Sequence, residues 1–245
     1  MRLLVVGRIG HDAEGKRRGA MAKYIIESVE RDGVPTLSTE GAPFHPAFKY
    51  WVRGHAHETI VVNFSETQLR GTLEECAKYQ LPLIHASSAE KIPDIELTFP
   101  VIEAPNLAIA SLILFDVFPR LGTLLRRYGA KSSVAEAHHE GKTSPPITAE
   151  KLADDLGVPH SEIVHLREDR AATAFLGVPP ESYGGYAIHR VMSKIAGGEI
   201  VIDLKHLGKE AYYEGLKLLA TKMVADYGRI GHRVHSMSEY LFDEV

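Results

Sequence analysis

Short apolar runs that end in glycine or a small polar residue recur along the first hundred positions, and helical-period segments separate several of them. "RLLVVG" is the first: an unbroken apolar run closing on Gly7, which suits a strand covered on both faces, as in a parallel sheet. In "GAMAKYIIESVERDG" the apolar positions Met21, Ile25, Ile26 and Val29 share a helix face, and the pattern stops at Gly33. "VPTLS", "TIVVNFS", "LPLIHASS" and "LTFPVIEAPN" read as the second to fifth strands, and "TLEECAKYQ" as a helix. This succession predicts an α/β N-terminal domain built on a Rossmann-like, doubly wound parallel sheet. Such sheets bind ligands beyond the carboxyl ends of their strands. Here those ends are Gly7 to Gly10, Ser38 to Glu40, Asn63 to Ser65, Ala86 to Ser88 and Ala104 to Asn106.

The pattern changes after Asn106. "LAIASLILFDVFPRLGTLLRRYG" is helical, with a kink or break expected at Pro119 and with Arg126 and Arg127 near the carboxyl end, where they suit the dipole. "SSVAEAHH" reads as a strand. A loop containing "SPP" leads into the helix "TAEKLADDLG", capped by Gly157. "YAIHRVMSKIAGGEIVIDLKHLG" predicts two strands joined in a hairpin around Gly197 and Gly198, and "EAYYEGLKLLATKMVADYG" a long amphipathic helix. The second half is therefore an α+β domain with a mixed or antiparallel sheet.

Composition narrows the functional classes. A net charge of −4 over 245 residues offers no basic field for nucleic acid, so an anionic ligand must be met by local cations. Cys76 is the single cysteine, which excludes an internal disulfide and a cysteine-based zinc cluster; it reads as a small buried residue on a helix. No signal peptide is visible, and the longest apolar stretch is interrupted by Asp116 and too short to span a bilayer. The expectation is a soluble, cytoplasmic protein without a membrane partner.

Two stretches carry chemistry. The turn after the first strand contains Gly7, Gly10 and Gly19 ahead of Met21 and Ala22, where backbone N–H groups and a helix N-terminus can receive a pyrophosphate. Lys16, Arg17 and Arg18 would contact phosphate oxygens, including a 2′-phosphate; a long surface loop with solvated charges is the competing reading. Glu40 is the acidic residue available for a ribose, so the choice between NADH and NADPH stays open. In "EAHHEGK", Glu136 to Lys142, the adjacent His138 and His139 point to opposite faces of a strand, and no His-x-x-x-His partner stands nearby. No metal is therefore expected. Histidines and an ammonium at a strand-to-loop corner supply instead a proton-handling and anion-binding edge. His232 and His235 in "GRIGHRVHSM" read as a surface tail or interface; Tyr50 and Trp51 either cover a pocket or pack a long connection.

"EAHHEGKTSPPITA" resembles the signature of dihydrodipicolinate reductases (4-hydroxy-tetrahydrodipicolinate reductases), in which Glu-Ala-His-His-x-x-Lys leads into Asp-x-Pro-Ser-Gly-Thr-Ala. "VIEAPNLAIASLILF" resembles that family's Ala-Pro-Asn-Phe-Ser segment. "VVNFSETQLRGTLEECAKYQLPLIHASS" resembles its Asp-Phe-Ser strand, helix and Gly-Thr-Thr-Gly strand end, "GAMAKYI" its Gly-Arg-Met-Gly-Arg helix start, and "GGEIVIDLKHLGKEAYYEGLKL" its closing strand and helix. The segments run in order along nearly the whole chain.

The resemblance implies a nucleotide-binding domain over residues 1–107, rejoined by residues 208–245. It implies a substrate-binding and oligomerisation domain over residues 108–207, and a homotetramer. It also implies reduction of a cyclic conjugated imine dicarboxylate by NADPH or NADH, a step of diaminopimelate and lysine biosynthesis. Carried onto this chain, His138 is the acid/base histidine, His139 a substrate-carboxylate contact and Lys142 the proton donor. Ala86, Ser87 and Ser88 with Ala104, Pro105, Asn106 and Leu107 border the nicotinamide, and Thr148 is what remains of the Ser-Gly-Thr substrate loop. The chain departs from the family pattern where Ser144 replaces the aspartate, where "PPITA" lacks the Ser-Gly pair and where "HASSA" replaces Gly-Thr-Thr-Gly. A fold-retaining, non-catalytic homologue that binds a nucleotide or a protein is the alternative, as is a reductase of a different cyclic imine acid; a metal-dependent hydrolase is a third and weaker reading.

Overall fold

The computed structural model describes residues 1–7, 10–11, 17–18, 20–39, 44, 48–88, 90–139, 146–183 and 185–242, with backbone alone at 10, 11, 17, 18 and 20. In chain order the elements are β1 (Arg2–Val6), β2 (Gly10–His11), β3 (Arg17–Arg18), α1 (Ala20–Arg31), β4 (Thr36–Thr39), α2 (Phe48–Val52), β5 (Thr59–Asn63), α3 (Leu69–Tyr79), β6 (Leu83–His85) and β7 (Val101–Glu103). They continue through α4 (Ile109–Arg127), β8 (Lys131–His138), α5 (Ile147–Leu156), β9 (Val164–Leu166), α6 (Asp169–Leu176), β10 (Tyr186–Ile195), β11 (Gly198–Leu207), α7 (Glu210–Ala225), β12 (Val234–Ser236) and α8 (Met237–Phe242). Two compact units result, one of Met1–Leu107 with Tyr212–Val245, the other of Ala108–Ala211.

The first unit is a six-stranded sheet in the order β12-β7-β6-β5-β1-β4, with every pair parallel. All five residues of β5 are buried, as are Leu3, Leu4, Val5 and Val6 of β1, because helices cover both faces and leave no polar side to alternate with. One core cluster joins Leu4, Val6, Val61, Leu83 and Val101 of the strands to Leu69, Leu73 and Cys76 of α3 and Phe48 and Val52 of α2. Each such side chain contributes roughly 1.5–3 kcal/mol by leaving water. Trp51 on α2 packs against this cluster and anchors the connection, while Tyr50 is exposed. Burial pushes the Cys76 thiol well above its usual range, which makes it an inert core residue.

Two sequence expectations change here. "RVHS" is a strand of the sheet: β12 pairs parallel with β7, and His235 is buried with Nε2 3.1 Å from the Gly231 carbonyl. Three residues after a glycine-bearing turn are too few to show a period, which is why the segment reads as a tail. Within the turn after β1, the short strands β2 and β3 pair antiparallel, Gly10 with Arg18 and His11 with Arg17, so Arg17 and Arg18 lie on a hairpin strand.

In the second unit a four-stranded mixed sheet runs β11-β10-β8-β9, antiparallel except for β8 with β9. The β10–β11 hairpin turns on Ala196 (φ 47°) and Gly197 (φ 80°), two left-handed residues whose twist matches the flanking strands. Val134 and Val191, cross-strand partners, pack with Phe118 and Leu125 of α4 and Leu152 and Leu156 of α5. Pro119 lies inside α4 without breaking it, because Phe118 and Leu125 on either side of it are held in this core. A Cβ added at Gly122 would lie 2.1 Å from the Asp155 carbonyl oxygen, so α4 and α5 cross where one of them has no side chain. Gly157 ends α5 in the left-handed conformation expected of a helix cap.

Candidate functional site

Strand register assembles a cluster of histidines in the second unit. Glu136 and His138 are two apart on β8 and therefore share a sheet face. Glu136 pairs with His189 of β10 on one side and His165 of β9 on the other; one row along, His138 pairs with Ala187, which pairs with His206 of β11. Four strands thus bring His138, His165, His189 and His206 to the same face, the first three within 4 Å of one carboxylate.

Glu136 is fully buried. Its Oε1 accepts hydrogen bonds from His165 Nδ1 at 2.8 Å and from the Arg167 guanidinium at 2.5 Å. Its Oε2 lies 3.3 Å from His138 Nε2 and 3.8 Å from His189 Nε2. Burial alone would raise the Glu136 pKa, but His138, Arg167 and His165 more than offset it and hold the carboxyl far below its ordinary range. At neutral pH the group is an anion. His206, buried and bonded through Nε2 to Ser111 Oγ at 2.9 Å, is pushed toward its neutral form, first by burial and then by the like charge of His138. The His138 and His189 rings meet edge to face at 5.6 Å.

Glu136, His138 and His189 each offer one ligand atom within 4.8 Å of the others, a grouping that sequence spacing hid because His189 comes from a different strand. The chemistry of the donor set nevertheless opposes a divalent ion. The one carboxylate already bonds the Arg167 guanidinium through Oε1, so a divalent ion in this grouping would sit beside a fixed positive charge.

Of the sequence-predicted site residues, His138 ends β8 in this cluster and His139 follows it, half-buried. Lys142 lies outside the described residues. Thr148 sits in the first turn of α5, and no hydrogen bond or ion pair joins it to the histidines among the described residues. Sequence reasoning missed Glu136, His165, Arg167, His189 and His206 as members of the site. The available signal was that "VHL", "IHR" and "KHL" each place a histidine inside a strand-forming run.

In the first unit the predicted cofactor stretches fall side by side at the carboxyl edge of the parallel sheet. Phe64 N–H donates to the Val6 carbonyl, Ala86 N–H to Asn63 and Ala104 N–H to His85, so the segments after β5, β6 and β7 continue the ladder beyond the strands. Gly7 follows β1. A Cβ there would meet the Cβ atoms of Ala22 and Phe64 at 3.4 Å, a close approach of strand end to helix start that a nucleotide-binding turn uses. Met21 is in the first turn of α1, which carries no acidic residue to repel an anion. Ser87 is buried, Ser88 exposed, Ala104 and Leu107 buried, and Pro105 and Asn106 lie between them. Gly10, Arg17 and Arg18 are on the β2–β3 hairpin; Lys16, Gly19 and Glu40 lie outside the described residues. The close approach at Gly7 and a first helical turn without acidic side chains fit the phosphate groups of a bound nucleotide. No helix among the described residues is long and apolar enough to cross a membrane.

The chain matches no protein-family model and no curated protein sequence. Among solved structures it is similar to the dipicolinate-bound dihydrodipicolinate reductase from Paenisporosarcina sp. TG-14, with a TM-score of 0.62 and 14% identity over 99% of this chain and 100% of that one. It aligns with an engineered D-amino acid dehydrogenase at TM-score 0.41 and 9% identity, over 100% and 97% of the two chains. It aligns with the C. glutamicum DAP dehydrogenase in complex with DAP at TM-score 0.35 and 9% identity, over 100% and 96%. The first likeness shows the fold: the chain shares the two-part architecture of a dihydrodipicolinate reductase from end to end.

Proposed function

We propose that this chain is an NAD(P)H-dependent oxidoreductase that reduces a cyclic conjugated imine dicarboxylate, as a divergent dihydrodipicolinate reductase would in diaminopimelate and lysine biosynthesis. The observation that carries the reading is the place of "EAHHEGK". The motif lies at the end of β8 and in the segment that follows, in a chain whose fold follows a dipicolinate-bound reductase over 99% of its length.

The nicotinamide, when bound, supplies the hydride. Gly7 and the start of α1 would hold its pyrophosphate, and Lys16, Arg17 and Arg18 its phosphate oxygens. The segments Ala86–Ser88 and Ala104–Leu107 would border the ring. Hydride addition to a conjugated imine leaves electron density that must be protonated, and Lys142 is the group assigned to that proton. His138 is assigned to acid/base work and His139, with Thr148, to a substrate carboxylate. A dianionic substrate suits the excess of cationic and protonatable groups around Glu136. The homotetramer is likewise proposed: Val164, Val201 and Leu207, on the sheet face opposite the histidines, are each about half exposed, as is Phe175 of α6. Size-exclusion chromatography with light scattering tests it.

The reading predicts that purified protein binds NADPH or NADH by calorimetry and oxidises it with dihydrodipicolinate. If neither cofactor binds, the reading is lost. A reductase of a different cyclic imine acid is favoured by the start of α5, where half-exposed Ile147 opens the helix after Pro146 and no side chain among the described residues caps it. Turnover with another imine acid, and none with dihydrodipicolinate, would select it.

A further inference from the structure

We propose that Glu136 is a positioning residue for His138, a buried counter-ion that holds the imidazole oriented and protonated, with Arg167 setting how much of the carboxylate charge His138 receives. The inference rests on the reductase reading only for the use made of the proton; the coupling itself is a property of the cluster.

The geometry divides the carboxylate in two. Oε1 is committed to His165 and Arg167, at 2.8 and 2.5 Å. Oε2 meets no donor with hydrogen-bond geometry among the described residues, although it lacks any exposure to solvent. It lies instead 3.3 Å from His138 Nε2, with His189 Nε2 at 3.8 Å. A buried anionic oxygen 3.3 Å from an imidazole nitrogen favours a proton on that nitrogen. The sheet backbone fixes the arrangement, because Glu136 and His138 are two apart on a strand whose neighbours β9 and β10 supply the other partners.

Other charged groups have their own places. His206 is pushed toward its neutral form by burial and by the charge of His138, and it is bonded to Ser111, so it adds no second cation beside His138. On α5, which packs against β8, Lys151 lies over the Phe115 ring, Asp154 pairs with His160, and Glu150 and Asp155 form no ion pair with the cluster among the described residues. On α6, Asp169 accepts from the Tyr186 hydroxyl, and Arg170 forms no ion pair with it among the described residues. Arg167 is the group that competes with His138 for the carboxylate. It is one-third exposed, so it can be replaced with little loss of core.

Two substitutions should therefore move His138 in opposite directions. NMR titration of ring-labelled histidines, with His138 assigned from the His138→Asn spectrum, reads its midpoint without cofactor or substrate. Arg167→Met should raise the midpoint and Glu136→Gln lower it, each by about one pH unit, the shift an adjacent charge commonly produces. A merely structural role for Glu136 gives no such opposed pair. An unchanged or lowered midpoint in folded Arg167→Met overturns the proposal, and so does an unchanged midpoint in folded Glu136→Gln. Should Glu136→Gln fail to fold, Arg167→Met alone decides. Because no turnover is measured, an inactive protein that shows the opposed shifts would refute the reductase reading and keep this inference.

Discussion

Glu136 ties stability to acidity. Its carboxyl is ionised in the folded protein far below the ordinary value of 4.5, whereas an unfolded chain protonates near that value. A depressed folded pKa means stability that is fully present above about pH 4.5 and is lost as the pH falls further. Replacing Glu136 by Gln should cost about 1.5–3 kcal/mol at neutral pH, because it takes the charge out of the hydrogen bonds with Arg167 and His165. The same variant should lose less stability than the wild type between neutral pH and pH ~3, since it has no such carboxyl to protonate. Urea denaturation at both pH values measures this. Two parallel curves would show that Glu136 is not the acid-sensitive group.

At the scale of elements, α4 carries two features with opposite consequences. Pro119 is exposed and interior to a 19-residue helix, where it lacks the N–H that would bond to the carbonyl of Phe115. Pro119→Ala should stabilise the protein by about 1–3 kcal/mol, read as a higher urea midpoint, because the helix already runs through this position. Gly122→Ala should destabilise by about 2 kcal/mol or more, since its methyl would press on the backbone of α5 and neither helix can move without opening the shared core. Legibility in the sequence follows the same logic of length and period. The long helices and the buried strands β1 and β5 were readable because apolar residues repeat over enough positions. β9, α6 and β12 were not, being short and set among turns. The histidine cluster was half-legible: "EAHH" announces itself locally, but Glu136 meets His165, Arg167 and His189 only through pairing with strands that lie roughly 30 to 50 residues further on. Sequence spacing therefore treats His138 and His139 as the pair that matters, whereas the strand puts His138 on one face with Glu136 and leaves His139 beyond its end.

The whole molecule is built as two units, and the proposed labour divides along the same line. Every residue proposed to hold the cofactor lies in Met1–Leu107, while His138, His139, Lys142 and Thr148 lie in Ala108–Ala211. Binding of nucleotide and delivery of the proton should then be separable by mutation. Lys142→Ala is expected to leave the cofactor dissociation constant within about twofold of the wild type, because it removes no group that the nucleotide contacts. Turnover should fall by about 10²–10⁴-fold, the usual contribution of a positioned general acid. Arg17→Ala with Arg18→Ala should do the reverse, weakening cofactor binding while leaving the rate at saturating cofactor close to that of the wild type. If the nucleotide carries a 2′-phosphate that these side chains meet, the loss should be greater for NADPH than for NADH, since only the former presents the extra dianion. Calorimetry with each nucleotide and steady-state rates at saturating cofactor distinguish the outcomes. A Lys142→Ala protein that lost cofactor affinity and turnover together would show that the two units do not divide the work in this way.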